Sequence, residues 1–220
     1  MTDLVINKNL ELKSSFEWIK KSFYIFRESP VHFVVLGLFN LLIGLLPLLG
    51  SFMTPLLLAR FASLASMVER EEKINFSHVF EDIFANKMVV RLAFLNFCLN
   101  GIILVGQLFY ENKTGHSLLT RGTDLLMVVG LLIPMFILQI AMWLSPIICL
   151  NNPDVKPLQA MWLSIQASMY NIPTFIFYSL LLVVFTLLVL LPLFLGLLIW
   201  LPILNISCYF IYKSVIYIPK

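Results

Sequence analysis

Six long apolar segments constrain this chain more than any other feature of its sequence. Each approaches or exceeds the roughly 20 helical residues that cross the hydrocarbon core of a bilayer. They cover residues 31–49, 51–68, 88–109, 125–149, 174–193 and 195–214. Hydrophobic residues make up 60% of the 220 residues and charged residues only 12%, too few to cover a water-soluble surface. The sequence therefore predicts an all-α, polytopic membrane bundle of six transmembrane helices, with residues 1–220 as a single integral membrane domain.

The distribution of Lys and Arg predicts how these spans are oriented. Twelve of the 15 Lys and Arg residues lie before the first span, after the second, after the fourth or after the sixth. Only Lys113 and Arg121 lie in the connections of the opposite side, and Arg60 lies inside a span. Because cytoplasmic loops carry the excess of positive charge, both termini are expected in the cytoplasm.

Three segments outside the spans have the apolar period of an amphipathic helix. In FEWIKKSFYIFRE, residues 16–28, one helical face carries Phe16, Ile19, Phe23 and Phe26. FSHVFEDIFANK, residues 76–87, and LQAMWLSIQASMY, residues 158–170, show the same spacing. Each is expected to lie in the cytoplasmic interface with its apolar face toward the acyl chains.

One such helix precedes each pair of spans, so the chain resembles three copies of one unit. The units cover about residues 14–72, 74–151 and 156–217. Because each unit contains two spans, all copies keep the same orientation, which predicts a threefold parallel repeat. The first and third units also match outside their spans, since WIKKSFYIFRESP before LLPLLG resembles WLSIQASMYNIP before LLPLFLG.

The second span of each unit contains a proline followed by a long polar residue. The three pairs are Pro55 and Arg60, Pro134 and Gln139, and Pro202 and Asn205. A proline bends a membrane helix and frees a carbonyl about one turn earlier. The recurrence predicts a polar layer near the middle of the bilayer, which is the candidate binding site. Asn40, Asn96 and Asn100 are further candidates for this layer.

Arg60 allows more than one interpretation, because no Asp or Glu is expected at its depth. Interhelical hydrogen bonding is one, since small neighbours such as Ala59 and Ser63 permit close helix contact. Another is an anion site that receives a lipid phosphate or carboxylate. A third is a water-filled path through the bundle.

Several short motifs carry a family resemblance. W-x(7)-F-R-x-x-P is followed by LPLLG, by a proline early in the next span, and by F-x-x-x-F. The residues are Trp18, Phe26, Arg27, Pro30, Pro47, Gly50, Pro55, Phe76 and Phe80. This order resembles a functionally uncharacterised family of small six-span bacterial inner-membrane proteins. It is also distantly similar to the membrane domain attached to some glycerophosphodiester phosphodiesterases. The resemblance implies a multi-pass protein of the bacterial inner membrane and transfers no catalytic residue.

The motif content favours a non-catalytic role. No nucleophile elbow, phosphate-binding loop, HExxH or metal-spaced cluster occurs, so no enzyme activity, cofactor or metal is expected. No Lys/Arg-rich block suggests nucleic acid. The expected role is a scaffold or regulatory component of the envelope that contacts membrane lipid or other membrane proteins. The alternative is a small transporter or lipid-translocating protein that uses the polar layer around Arg60.

Overall fold

The computed structural model describes residues 4–114, 125–190 and 196–217, and this part of the chain is almost entirely helical. In chain order the helices are α1 (Lys13–Glu28), α2 (Pro30–Gly44), α3 (Pro47–Glu69), α4 (Ser77–Phe80), α5 (Lys87–Thr114), α6 (Leu125–Asn151), α7 (Pro157–Tyr170), α8 (Ile172–Leu190) and α9 (Leu197–Val215). Two short strands, β1 (Val5–Ile6) and β2 (Ile216–Tyr217), pair antiparallel. The all-helical prediction is therefore confirmed for the described residues.

Five of these helices are long and apolar enough to cross a membrane, namely α3, α5, α6, α8 and α9. The prediction of a multi-pass membrane protein is confirmed at this level. Residues 115–124, which include Arg121 and join α5 to α6, and residues 191–195, which join α8 to α9, lie outside the described residues.

The first predicted span, residues 31–49, is shorter in the structure. Helix α2 has 15 residues, which give a length of about 22 Å at the helical rise, and it ends where Leu45 and Leu46 turn the chain. Pro47 then begins α3. Helix α2 meets α1 at an angle of 110°. The break falls at Ser29, because a residue before proline is disfavoured in the helical conformation and Pro30 favours the start of a new helix.

Hydrogen bonds gather the carboxyl ends of three long helices at one end of the bundle, which we call the polar end. A carboxylate oxygen of Glu69, the last residue of α3, accepts a hydrogen bond of 2.7 Å from the Tyr209 hydroxyl of α9. Lys213 of α9 forms an ion pair of 2.7 Å with the same carboxylate. Just after α6, the Asn152 amide lies 3.0 Å from the Tyr212 hydroxyl. Helices α3, α6 and α9 therefore run in the same direction.

Both ends of the described chain also lie at the polar end. Val5 pairs with Tyr217 and Ile6 with Ile216 in the two-stranded ladder. The Asn7 amide donates a further backbone hydrogen bond of 2.8 Å to the Val215 carbonyl, at the end of α9. The start and the end of the bundle are thus held on the same side.

The long helices pack around a central trio. Helices α3, α6 and α9 contact one another, α2 packs against α3 and α9, and α5 packs against α3 and α6. Helix α8 packs against α9 and α1, but its contact with α6 is slight. Trp143 of α6 makes this contact, with its ring centroid 5.0 Å from that of Phe175 on α8.

Helix α1 turns a different face to the protein than the sequence predicts. Ile19 and Phe26, expected to face acyl chains, are buried in the core, while Phe16 and Phe23 are exposed. The buried face is centred on Trp18, whose ring centroid lies 5.5 Å from that of Tyr178. Burial of this large aromatic ring against α8 fixes the face that α1 turns to the core.

The amphipathic helix predicted over residues 76–87 is wrong. Helix α4 covers only Ser77–Phe80, and Asp82 has a positive φ of 57°, which a continuing helix does not allow. The side-chain oxygen of Asn86 then accepts the Met88 and Val89 amides, at 2.9 and 3.1 Å, and starts α5. Turn and cap residues therefore divide a segment whose apolar period suggested one helix.

Instead of a long interfacial helix, α4 is a single turn that runs along α2. Phe76 packs against His32 and Phe80 against Phe39, with ring centroids 4.6 and 5.1 Å apart. His32 and Phe39 are seven residues apart, or about 10 Å along the helix axis. The segment therefore descends beside α2 toward the middle of the bundle.

Candidate functional site

A cavity of about 980 Å³ opens beside the central helices, and we call it the lateral cavity. Its walls come from α3, α5, α6, α8 and α9. It reaches Gly44 and Pro47 at the α2–α3 turn, and it reaches Ser168 and Met169 of α7 at the polar end. The volume is within the range of about 300–1,000 Å³ typical of small-molecule sites.

Four of the six predicted binding residues line this cavity. They are Asn96 and Asn100 of α5, Gln139 of α6 and Asn205 of α9. Counted from the polar end of its own helix, each lies nine to thirteen residues along the chain, or about 13–20 Å of helix length. The structure therefore brings polar groups from three helices into one cavity.

Part of this polar group holds helices together. The Asn96 amide donates to the Ser51 carbonyl of α3 at 2.6 Å and so connects α5 to α3. The Asn100 amide donates to the Asn96 carbonyl at 2.8 Å and to the Asn96 side-chain oxygen at 2.9 Å. The Asn205 amide donates to the Leu201 carbonyl of its own helix at 2.8 Å. Asn96 therefore forms a hydrogen bond between helices, which is one of the roles considered for the polar layer.

The described lining of the lateral cavity carries no acidic or basic side chain. Among the described residues that line it, none is Asp, Glu, Lys, Arg or His. The remaining walls are hydroxyl-bearing side chains, such as those of Thr54 and Ser179, and apolar side chains. Such a site can bind an apolar chain and a neutral polar group, but it has no full charge to balance an ion.

The cavity opens sideways, between α6 and α8. Phe136 on α6 and Ile176 on α8 both line it and are 68% and 65% exposed. Trp143 of α6 crosses this gap by packing against Phe175 and Tyr178, which flank Ile176 on α8. Because both sides of the opening are apolar and outward-facing, the opening faces the region that acyl chains would occupy in a membrane.

Arg60 lies apart from this cavity, although it was predicted to share a layer with Gln139 and Asn205. Its side chain is buried, and one terminal guanidinium nitrogen donates to the His78 carbonyl of α4. The charges of Asp82 and Glu81 act on it from the following turn. The α4 segment therefore brings two carboxylates close enough to influence Arg60, and both of these residues are exposed. The Arg60 Nε atom is buried without a hydrogen-bond partner in the described chain.

Asn40 is also separate from the other candidates. It is half-buried on α2 and is not among the described residues that line the lateral cavity. Helix α2 packs between α3 and α9, on the side of the bundle where the helices are in close contact. Asn40 therefore has no place in the candidate site.

Sequence reasoning missed the residues that shape the opening, above all Trp143 and Ser179. Both lie in spans with no charge or motif to distinguish them. Trp143 lies three residues before Pro146, a second proline in α6, and this was the available signal. The gap itself depends on how α8 packs, which no local pattern specifies.

A second cavity, of about 1090 Å³, lies at the polar end between α1 and the residues after α3. Its lining contains Lys20, Lys21 and Lys73 together with five glutamates. Since both signs of charge are mixed and exposed there, the cavity has no clear preference for an anion or a cation.

Replacing Arg60 with Met is expected to loosen the α4 segment. The His78 carbonyl would lose its donor, and such a loss at a buried group costs about 1–3 kcal/mol. Hydrogen exchange of the backbone amides in residues 75–86 should become roughly tenfold faster or more. Arg91→Met on the exposed face of α5 is the control and should leave this exchange unchanged. Equal protection in both variants would contradict the role assigned to Arg60.

Comparison of the chain with protein-family models, curated proteins and solved structures finds no match. The resemblance to a six-span bacterial family, and to the phosphodiesterase membrane domain, therefore stays a prediction.

Proposed function

We propose that this protein is a non-catalytic, six-span protein of the bacterial inner membrane that binds a membrane lipid in the lateral cavity. The observation that carries the proposal is a cavity shared by α6 and α8, two helices in slight contact, whose lining residues Phe136 and Ile176 are exposed. An opening at this position gives a lipid chain access without passage through water, and the carboxamides behind it offer hydrogen bonds to a polar head.

The pairing of the terminal strands supports six crossings. Residues joined by hydrogen bonds lie on the same side of a membrane, so the chain between β1 and β2 crosses an even number of times. Five helices are long enough to cross unaided, and α2, bent by 110° from α1, is the natural sixth. Local thinning of the bilayer accommodates a short helix at modest cost.

The packing order supports a threefold parallel repeat. Helix α4 packs on α2 and α3, and α7 packs on α5 and α6, so each packs on the pair of long helices before it in the chain. Helix α1, the first, packs on the last pair, α8 and α9. This order is cyclic, as expected when three equal units close a ring. The contact of α8 with α6 is the loose position in that ring, and the lateral cavity opens there.

A cytoplasmic polar end is supported by its charge. Lys20, Lys21 and Lys73 line the polar-end cavity, and Lys213 is paired there with Glu69. By the positive-inside rule, the β1–β2 pair and both termini belong to the cytoplasmic side.

Cysteine labelling tests this topology. In a chain whose native cysteines are replaced by Ser, Lys113→Cys should react from the periplasmic side and Lys156→Cys from the cytoplasmic side. The measurement is labelling of intact cells by a membrane-impermeant maleimide, before and after permeabilisation. Reaction of both positions from the same side would rule out the six-span topology.

Photo-crosslinking tests lipid binding itself. A phospholipid and a neutral lipid, each with a diazirine in the acyl chain, are incorporated into nanodiscs with the purified protein. Cross-links are expected at cavity-lining residues such as Met135 and Met142, in excess over the outward-facing Ile102 and Val105 of α5. Cross-links confined to outward-facing positions would show that the cavity holds no lipid.

Lipid translocation is a second candidate, favoured by the extent of the cavity. The lining runs from the α2–α3 turn at one end of the bundle to the end of α7 at the other. A lipid head could follow such a path past the mid-depth carboxamides. Transfer of a fluorescent neutral lipid between leaflets of reconstituted vesicles would separate translocation from simple binding.

A further inference from the structure

We propose that Gln139 is the residue that makes the polar contact with a lipid in the lateral cavity. This inference rests on the proposed function, because it assigns a ligand-binding role to one residue of the same cavity. It is carried by the position of Gln139 on α6 and by a difference in hydrogen bonding between Gln139 and the other three carboxamides of the described lining.

Gln139 lies on the face of α6 that borders the lateral cavity. Phe136, three residues before it, and Trp143, four residues after it, share this helical face and also line the cavity. Gln139 is exposed, so its carboxamide is accessible to a molecule in the cavity. Ser179 of α8 and Asn205 of α9 belong to the same lining. Gln139 therefore adjoins a space that three helices border together.

The other three carboxamides are held by the protein itself. Asn96 donates to a carbonyl of α3, and Asn100 donates to Asn96. Asn205 donates to a carbonyl of its own helix. Gln139, in contrast, forms no hydrogen bond with the described part of the chain. Its carboxamide oxygen and its two N–H groups are therefore all available to a ligand, whether the ligand donates or accepts.

The position of Gln139 along α6 makes such a partner important. It lies fourteen residues after the start of the helix and twelve before its end, so about 18 Å of helix separate it from the nearer end. A carboxamide without hydrogen bonds among acyl chains is unfavourable, and a bound polar group relieves this cost. A lipid whose ester or head group lies beside Gln139 would supply that group.

The surroundings of Gln139 favour a lipid over a helix of a second copy of this chain. Helix α8 lies across the gap from α6, and Trp143 bridges the two helices with its ring centroid 5.0 Å from that of Phe175. A neighbouring helix is about 10 Å wide and needs an open face. A flexible acyl chain can enter the gap instead, with its polar group beside Gln139.

Replacing Gln139 with Leu tests this role. Dioleoylphosphatidylethanolamine and dioleoylglycerol are titrated separately into the delipidated wild type and variant, and binding is measured by native mass spectrometry. Loss of one hydrogen bond should weaken binding of the lipid that the wild type takes by about fivefold. Gln107→Leu is the matched control, because it makes the same change on α5 at a residue that is not among the described lining residues. It should leave lipid binding unchanged.

Thermal unfolding without added lipid separates contact with a ligand from a structural role. Removing an unpartnered carboxamide from an apolar span should leave the midpoint of Gln139→Leu unchanged or raise it, while lipid binding falls. If Gln139 instead holds helices of this chain together, the midpoint should fall by several degrees, and the inference is wrong.

The remaining outcomes separate this inference from the function on which it rests. If Gln139→Leu binds lipid as the wild type does, while diazirine lipids still cross-link inside the cavity, the inference is wrong and lipid binding stands. If the wild type binds neither lipid, both proposals are wrong. If the mass spectra show a wild-type dimer that Gln139→Leu abolishes, Gln139 contacts a second copy of the chain and not a lipid.

Discussion

Lipid binding is expected to be lost, by tenfold or more in affinity, when Ser179 is replaced by Trp. Ser179 lies on α8 and lines the lateral cavity near its opening, so an indole there would occupy the space that an acyl chain needs. Because Ser179 is exposed, the larger side chain should cost the fold little. The measurement is the amount of lipid retained by the purified protein in native mass spectra.

The neighbouring residue provides a matched control. Leu180 is 59% exposed on the same helix and is not among the described lining residues, so Leu180→Trp places an equal bulk in the surrounding lipid. This variant should retain lipid as the wild type does. If both Trp variants lose lipid equally, the effect comes from α8 as a whole and the cavity is not the binding site.

A large loss of stability is expected when Gly37 is replaced by Ala. Gly37 of α2 faces Pro202 of α9, and a Cβ atom there would lie 2.8 Å from the proline Cγ and 3.0 Å from its Cδ. The proline ring cannot rotate away, so α2 and α9 would have to separate. Overpacking of this kind typically costs about 1–3 kcal/mol in the free energy of unfolding.

Thermal unfolding in detergent measures this loss, with Gly101→Ala as the control. Nothing described lies within 4 Å of a Cβ at Gly101 of α5, and Ala favours a helix over Gly by about 1 kcal/mol in water. Its midpoint should stay the same or rise, whereas that of Gly37→Ala should fall by several degrees. Equal midpoints would mean that the α2–α9 contact does not hold the bundle closed.

The long helices could be predicted well because each depends on its own residues. An apolar run in lipid must satisfy its backbone groups internally, so it forms a helix whatever its neighbours are. Pro30, Pro47 and Pro157 each begin a helix, although the first predicted span ran past Pro47 to residue 49. The prediction of an amphipathic helix after α3 failed because the segment has the apolar period of a helix, whereas Asp82 and Asn86 favour a turn and a helix cap.

The candidate site was predicted in part. Asn96, Asn100, Gln139 and Asn205 were selected as polar residues in apolar spans, and they do line one cavity. Arg60 was selected by the same criterion, and by its place after Pro55, yet it is directed to α4. Depth along a span follows from residue number, but the side of the helix that meets a cavity depends on which neighbour packs there.

The sequence by itself determined that lipid surrounds much of this protein, where its apolar helices lie, and that most of its charged residues lie outside its spans. These follow from local composition, because lipid rejects charge and unpaired backbone groups along every span. Only the tertiary structure decided that α2 and α9 close tightly at Gly37 while α6 and α8 touch mainly through Trp143. Contacts between helices distant in sequence depend on the shapes of both surfaces at once, and the lateral cavity is a consequence of that packing.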